Sequence, residues 1–309
     1  MEKKYALIGV AGGGLMGTGI ASKLAAAGQA VIIYEANRDS AALIAERCDA
    51  IFGELLEGDG LSEDEADHAR SLVRVTTDIA PLGEAGLILE AVSEALEIKQ
   101  KLYADLERCV APSAIIASST SGYVPSQLCA SMQRQERFLV AHFWNPPHLV
   151  PLVEVVPGPA TQHWAVQDVT ETLKQLGCNP LVLNREIPGF IGNRLQFAVL
   201  REALHLLSEG VADAATIDMV MKQSVGRRYA HIGPLEGADI GGLQTFYSIA
   251  QYLWPQLARR CEGLELLQQM VERGDVGRRS GRGLYRWDGP KEQWMRRTRL
   301  ELLRQSGRR

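Results

Sequence analysis

The sequence predicts an α/β protein: a doubly wound parallel sheet followed by a second domain made of helices alone. Three observations carry that prediction. Short apolar runs alternate with helical patterns from residue 5 to about 184. A glycine-rich turn joins the first apolar run to the first helical pattern. After Pro188 the short apolar runs stop, and the chain reads as helix to about Arg273. Strand–helix alternation favours a parallel sheet with helices on both faces.

Taken in order, Tyr5–Ala11, Ala30–Tyr34, Leu87–Ala91, Ala114–Ala117, Phe138–Ala141, Val150–Val156 and Pro180–Leu183 are short, bounded and rich in branched apolar residues, as buried strands are. Leu15–Ala27, Ser40–Leu56, Ser62–Leu72 and Ile98–Val110 carry the helical period between them. The second domain is expected from Ile191–Glu209, Ala214–Ser224, Gly242–Arg260 and Leu264–Arg273. The division is therefore drawn as 1–187 and 188–309. Lys291–Arg309 holds seven basic and two acidic residues and reads as a solvated surface helix.

Composition narrows the class. The 309 residues are 46% hydrophobic and 23% charged, which suits a folded globular chain with ample core. A net charge of -4 gives no basic surface for nucleic acid or anionic lipid. Five scattered cysteines without a CxxC fit free thiols in a reducing cytoplasm. Lys3 and Lys4 precede an uncharged run, Tyr5–Ser22, but six of its eighteen residues are glycine, too many for a signal peptide or a spanning helix. With no HExxH and no cysteine–histidine cluster, a metal enzyme is not expected.

The glycine turn is Gly12-Gly13-Gly14-Leu15-Met16-Gly17, a GxGxxG between strand and helix. Its first glycine allows a tight turn, its second lets a pyrophosphate approach the backbone, and its third lets helix and strand pack closely. The helix that follows offers free N–H groups and the positive end of its dipole. Glu35 ends the next strand, eighteen residues after Gly17, where a carboxylate can accept both adenosine ribose hydroxyls and repel a 2′-phosphate. The cofactor is therefore NAD. Arg38 is the opposing signal, since an arginine nearby can hold that phosphate. The approach Gly9-Val10-Ala11 is long, so a bulge in the first strand or a reshaped turn is expected.

Four polar residues fall at or near strand ends, where open α/β sheets bind ligands. Ser121 follows Ala114–Ala117, His142 follows Phe138–Ala141, Glu154 lies inside the apolar Val150–Val156, and Asn193 opens the first helix of the second domain. An acid in so apolar a run needs a partner. His142 hydrogen-bonded to it would have one tautomer fixed and its basicity raised, as suits a general base.

These residues and their flanks carry a family resemblance. GGGLMGTGIA at 12–21, EAVSEALEIK at 90–99, SSTSG at 118–122, AHFWNPPHLVPLVEVV at 141–156 and PGFIGNRLQFAVLREA at 188–203 keep the order and spacing of the NAD-dependent L-3-hydroxyacyl-CoA dehydrogenase family. HFWNPP with VPLVEVVPGPAT, and GRRYAHIGPLE at 226–236, are most similar to its L-gulonate 3-dehydrogenase (lambda-crystallin) branch and bacterial relatives. The resemblance implies a Rossmann domain, a helical domain that forms a homodimer, a catalytic His142 with Glu154 orienting it, and Ser121 and Asn193 bonded to the substrate oxygen. Cofactor contacts are expected at Gly12, Gly14, Leu15, Met16, Gly17, Glu35 and Arg38 around the turn and at Ser121, and the resemblance implies others at Asn145, Glu94 and Lys99, with Arg279 where relatives often carry lysine.

Substrate class is read from charge. Acyl-CoA members bear lysines on the helical hairpin after the second strand, where the CoA nucleotide lies. From Asp39 to His68 this chain has ten acids against the single arginine Arg47, and no lysine. Such a surface disfavours CoA phosphates and favours a free 3-hydroxy acid, with Arg227 and Arg228 as candidate carboxylate anchors. A short-chain acyl-CoA is the alternative. An inert NAD-binding scaffold is the alternative of another class, and the joint presence of His142, Glu154, Ser121 and Asn193 argues against it.

Overall fold

The computed structural model describes residues 4–258 and 262–306. Lys3, Arg260, Cys261, Arg308 and Arg309, all used in the sequence reading, lie outside the described residues. The chain divides into two compact units, Met1–Ile191 with Arg296–Arg309, and Gly192–Met295.

The first unit is built on one eight-stranded sheet. Its elements run β1 Ile8–Ala11, α1 Leu15–Ala26, β2 Val31–Tyr34, α2 Arg38–Ala42, α3 Ile44–Glu57, α4 Glu63–Ser71, β3 Val73–Thr76, β4 Leu87–Glu90, α5 Leu96–Cys109, β5 Ile115–Ser118, α6 Pro125–Leu128, β6 Phe138–Phe143, β7 Leu152–Pro157, α7 His163–Gln175 and β8 Asn179–Val182. The strand order is β3-β2-β1-β4-β5-β6-β7-β8. Every neighbouring pair is parallel except β6 and β7. The order reverses between β1 and β4, which opens a crevice beyond their carboxyl ends.

Alternate strand residues feed two cores. Val10, Ile33, Leu89, Ala117 and Ala141 pack on the α1, α3 and α7 side with Ile20, Phe52 and Val169. Ile32, Ile88, Ile116 and Val140 pack on the α5 side with Leu102, Tyr103 and Leu106. A sheet buried on both faces explains why its strands read as continuous apolar runs. The edge strand β3, half-exposed with the sequence Val-Arg-Val-Thr, lacks that signature and was absent from the sequence reading. The expected helix 40–56 is two helices meeting at Leu43. β1 pairs in unbroken register with β2 and β4, so it carries no bulge.

The second unit contains α8 Gly192–Ser208, α9 Ala214–Gln223, α10 Val225–Tyr229, α11 Pro234–Gly241, α12 Leu243–Leu253, α13 Glu262–Glu272 and the first part of α14 Gly289–Ser306. The rest of α14 corrects the expectation of a solvated helix. From Arg296 onward it belongs to the first unit, with Leu303 buried and Leu300 packed against the same core as Phe52. Leu303 lies against Gly58, where an added Cβ would come within 2.7 Å of its Cδ1.

Candidate active site

The glycine turn is shaped by close approach. Gly12 has φ +108°, and a Cβ there would stand 2.7 Å from the Ala91 carbonyl oxygen. A Cβ on Gly17 would stand 1.8 Å from the Gly12 oxygen, so only glycine lets α1 pack this near the turn. Gly14 has open space around its missing Cβ and caps α1 without a side-chain bond. No acid lies in the first turn of that helix, which leaves the N-terminus ready for an anion. The Glu35 carboxylate accepts from the Gly13 N–H (2.9 Å) and the Asn37 N–H (3.1 Å) at the end of β2. Arg47, from α3, donates to the Gly13 carbonyl (2.7 Å). A phosphate-accepting helix end with a carboxylate at the neighbouring strand end fits NAD. Leu15 and Met16 open α1, and Arg38, which is exposed, opens α2.

His142 and Glu154 are direct cross-strand partners on β6 and β7. Their residues are 3% and 2% exposed, and Nδ1 lies 2.9 Å from Oε2. The second carboxylate oxygen accepts from the Ile191 N–H at 2.9 Å. That N–H is delivered by a strained corner, in which Gly189 and Phe190 both have positive φ, 75° and 51°. The Phe190 and Trp144 rings flank the imidazole at 5.4 and 5.3 Å between centroids.

The same corner reaches the Ser121 turn, because Gly189 N–H donates to the Gly122 carbonyl (3.4 Å). From the other side, the Glu94 carboxylate accepts from Thr120 Oγ1 and from the Ser121 N–H (3.1 Å). Beneath Glu94 lies a buried pedestal that the sequence reading missed. Glu90, at the end of β4, accepts from Lys99 Nζ (2.8 Å), Tyr103 OH (2.5 Å), Ser118 Oγ (2.6 Å) and Val92 N–H (2.7 Å). Lys99 also lies 3.2 Å from Glu94. Glu90 and Lys99 are 0% and 1% exposed, so the lysine sits below the crevice rather than lining it. Burial, then the Glu90 charge, pushes the Tyr103 hydroxyl well above its ordinary pKa. The signal in the sequence was an acid closing an otherwise apolar strand, the same signal that singled out Glu154.

Of the remaining candidates, Asn145 is exposed in the loop after β6, within the first unit. Asn193, Arg227, Arg228 and Arg279 belong to the second unit, and the three arginines are exposed. The acidic hairpin is less bare than its composition suggested. Glu54, Glu57 and Asp59 face Arg299, Arg296 and Arg304 of α14, while Asp49 and Asp67 share Arg70. These pairings offset part of the hairpin's negative charge, and the α14 arginines stand 239 or more residues from their acids, so no local charge count contains them.

A glycine-rich helix entrance, a carboxylate at the neighbouring strand end and a histidine–glutamate pair on one sheet fit the layout of a dinucleotide-dependent oxidoreductase. The comparisons narrow the class. Residues 7–187 match the model of the 3-hydroxyacyl-CoA dehydrogenase NAD-binding domain, and residues 189–287 that of its C-terminal domain. The chain is 31% identical to 5-formyl-3-hydroxy-2-methylpyridine 4-carboxylate 5-dehydrogenase of Mesorhizobium japonicum, over 92% of this chain and 91% of that one. It is 39% identical to the lambda-crystallin homolog of Bos taurus, over 74% and 72%. The crystal structure of a 5-formyl-3-hydroxy-2-methylpyridine 4-carboxylic acid 5-dehydrogenase, an NAD+ dependent dismutase, superposes with a TM-score of 0.89 at 27% identity, covering 98% and 99% of the two chains. The chain belongs to the 3-hydroxyacyl-CoA dehydrogenase family, NAD-dependent enzymes acting on 3-hydroxy groups.

Proposed function

We propose that this enzyme oxidises the 3-hydroxyl of a small 3-hydroxy acid with a free carboxylate, using His142 as general base. The observation that carries the reading is the His142 Nδ1–Glu154 Oε2 bond of 2.9 Å in a dry setting. A carboxylate there requires a hydrogen on Nδ1, which leaves the Nε2 lone pair to accept the substrate hydroxyl proton. As that proton arrives, Glu154 balances the imidazolium, and Ile191 N–H keeps the carboxylate from turning away. Bound NAD supplies the hydride acceptor. Gly12, Gly14, Leu15, Met16 and Gly17 would hold its pyrophosphate and Glu35 its adenosine ribose. Glu94 and Asn145 would hold the nicotinamide half, with Lys99 acting through Glu94. Ser121 and Asn193 would bond the reacting oxygen, which polarises and orients it.

Two features support a free acid over a CoA thioester. The α3–α4 hairpin carries no lysine to meet CoA phosphates, and α14 already lies along α3 through the Arg299–Glu54 fork and the Arg296–Glu57 ion pair. Arg227 and Arg228 are the proposed carboxylate anchors, and Arg279 a further cofactor contact. The homodimer is supported by the apolar surface of the second unit, where Leu235 is 82% and Trp254 68% exposed. Cys48, Cys109, Cys129 and Cys178 are all free thiols, which supports a cytoplasmic setting.

NADH formation, followed by absorbance with L-gulonate, carnitine, 3-hydroxybutyrate and 3-hydroxybutyryl-CoA, tests the substrate class. A free acid should give the highest kcat/KM, and a clear preference for the thioester refutes that choice. His142→Gln keeps a donor for Glu154, so it should fold and bind NADH while losing about 10²–10⁴-fold in turnover. Turnover within about threefold of wild type rules out the general-base assignment.

A further inference from the structure

The loop that carries Asn145 is fastened just beyond that residue, at Pro147 and His148. Pro147 rests on α1, where a Cβ on Gly19 would stand 2.9 Å from its Cδ. The next residue, His148, has a side chain only 3% exposed and places Nε2 3.1 Å from Glu54 Oε2 on α3. Arg299 of α14 closes the cluster. It donates Nε to Glu54 Oε1 (2.6 Å) and Nη2 to Oε2 (2.7 Å), and that Nη2 lies 3.2 Å from His148 Nε2. Nδ1 of His148 is buried with no hydrogen-bond partner among the described residues. The ring is therefore held through one nitrogen, and that nitrogen depends on how Arg299 sets Glu54.

We propose that Arg299, acting through Glu54 and His148, is a positioning residue for the Asn145 loop, so that the C-terminal helix tunes the grip on the nicotinamide half of the cofactor. The inference rests on the reading that Asn145 faces that half. Three elements distant in sequence meet at one carboxylate: α3, the loop after β6, and the last turns of α14. Arginine suits the junction because its planar fork fixes both oxygens of Glu54 at once, which a lysine cannot do. The neighbouring Arg296–Glu57 pair joins the same two helices through a single nitrogen, Nη2, shared between both carboxylate oxygens, and Glu57 contacts no residue of the loop in any described bond or ion pair. It provides an internal control.

Affinity for NADH, compared with affinity for ADP-ribose, separates positioning from general loosening, because ADP-ribose lacks the nicotinamide. In titrations of the full chain, Arg299→Ala should weaken NADH about tenfold and leave ADP-ribose within about twofold. Arg299→Lys, keeping the charge without the fork, should fall between wild type and Arg299→Ala. Arg296→Ala should change neither ligand. Glu54→Gln provides a second route to the same outcome if Arg299→Ala does not fold. The proposal is overturned if Arg299→Ala and Glu54→Gln leave NADH affinity unchanged, if both ligands weaken equally, or if Arg296→Ala matches Arg299→Ala. Wild-type protein that binds neither ligand would instead overturn the dinucleotide reading on which the inference stands.

Discussion

The two units bury their apolar residues very differently. In the first, Ile8, Val10, Ile32, Ile33, Phe52 and Phe138 are completely buried, and the inner strands β2, β1, β4, β5, β6 and β7 pack on both faces. In the second, only Leu204, Ala258 and Met270 are buried among the described apolar residues, while Leu235, Ile240, Leu243, Tyr252 and Trp254 are exposed. A sheet closes its own core through interleaved helices, whereas a run of helices leaves every stripe that no neighbour covers. The lesson is that the first unit carries its stability within itself, whereas the second leaves large apolar side chains exposed.

Phe52→Ala should give the largest effect on folding, about 3–5 kcal/mol lost in chemical denaturation, because it empties a fully buried site. A loss below about 1 kcal/mol would mean that the first unit is packed as loosely as the second. Leu243→Glu combined with Trp254→Glu sharpens the contrast. If the second unit is covered by another copy, the sedimenting mass should fall to that of one chain, with little change in the unfolding of the first unit. Unchanged mass and unchanged Tm would make these residues plain surface, where substitutions stay within about 0.5 kcal/mol.

The smallest effect is expected from acid. Burial would raise the Glu54 carboxyl, but the His148 and Arg299 bonds and the Arg299 charge hold it below its ordinary 4.5. A depressed carboxyl stabilises the fold above its unfolded pKa and loses that contribution as pH falls through the folded one. The Tm difference between wild type and Glu54→Gln should therefore be steady near neutrality and shrink below pH 4.5. A difference that persists in acid would detach the α14 junction from this carboxylate.

Much of the first unit was legible because its signals are local. A strand buried on both faces must be apolar throughout, so an acid within it, Glu154, announces a partner. The glycine turn was legible because Gly12 and Gly17 have no substitute at those approaches. Glu90 obeys the same rule but is less legible, since it closes its strand and its partners Lys99, Tyr103 and Ser118 come from two other elements. β3 was missed because an edge strand has only one neighbour and needs little apolar character.

The sequence by itself determined the alternation of strands and helices, the phosphate-binding turn and the identity of the histidine–glutamate pair, because each is written in residue type and short spacing. Tertiary structure alone decided that β6 and β7 run antiparallel and set that pair face to face. It also decided that a basic C-terminal helix neutralises the acids of α3. Both outcomes depend on contacts between distant segments, whose free energy no local window of sequence contains.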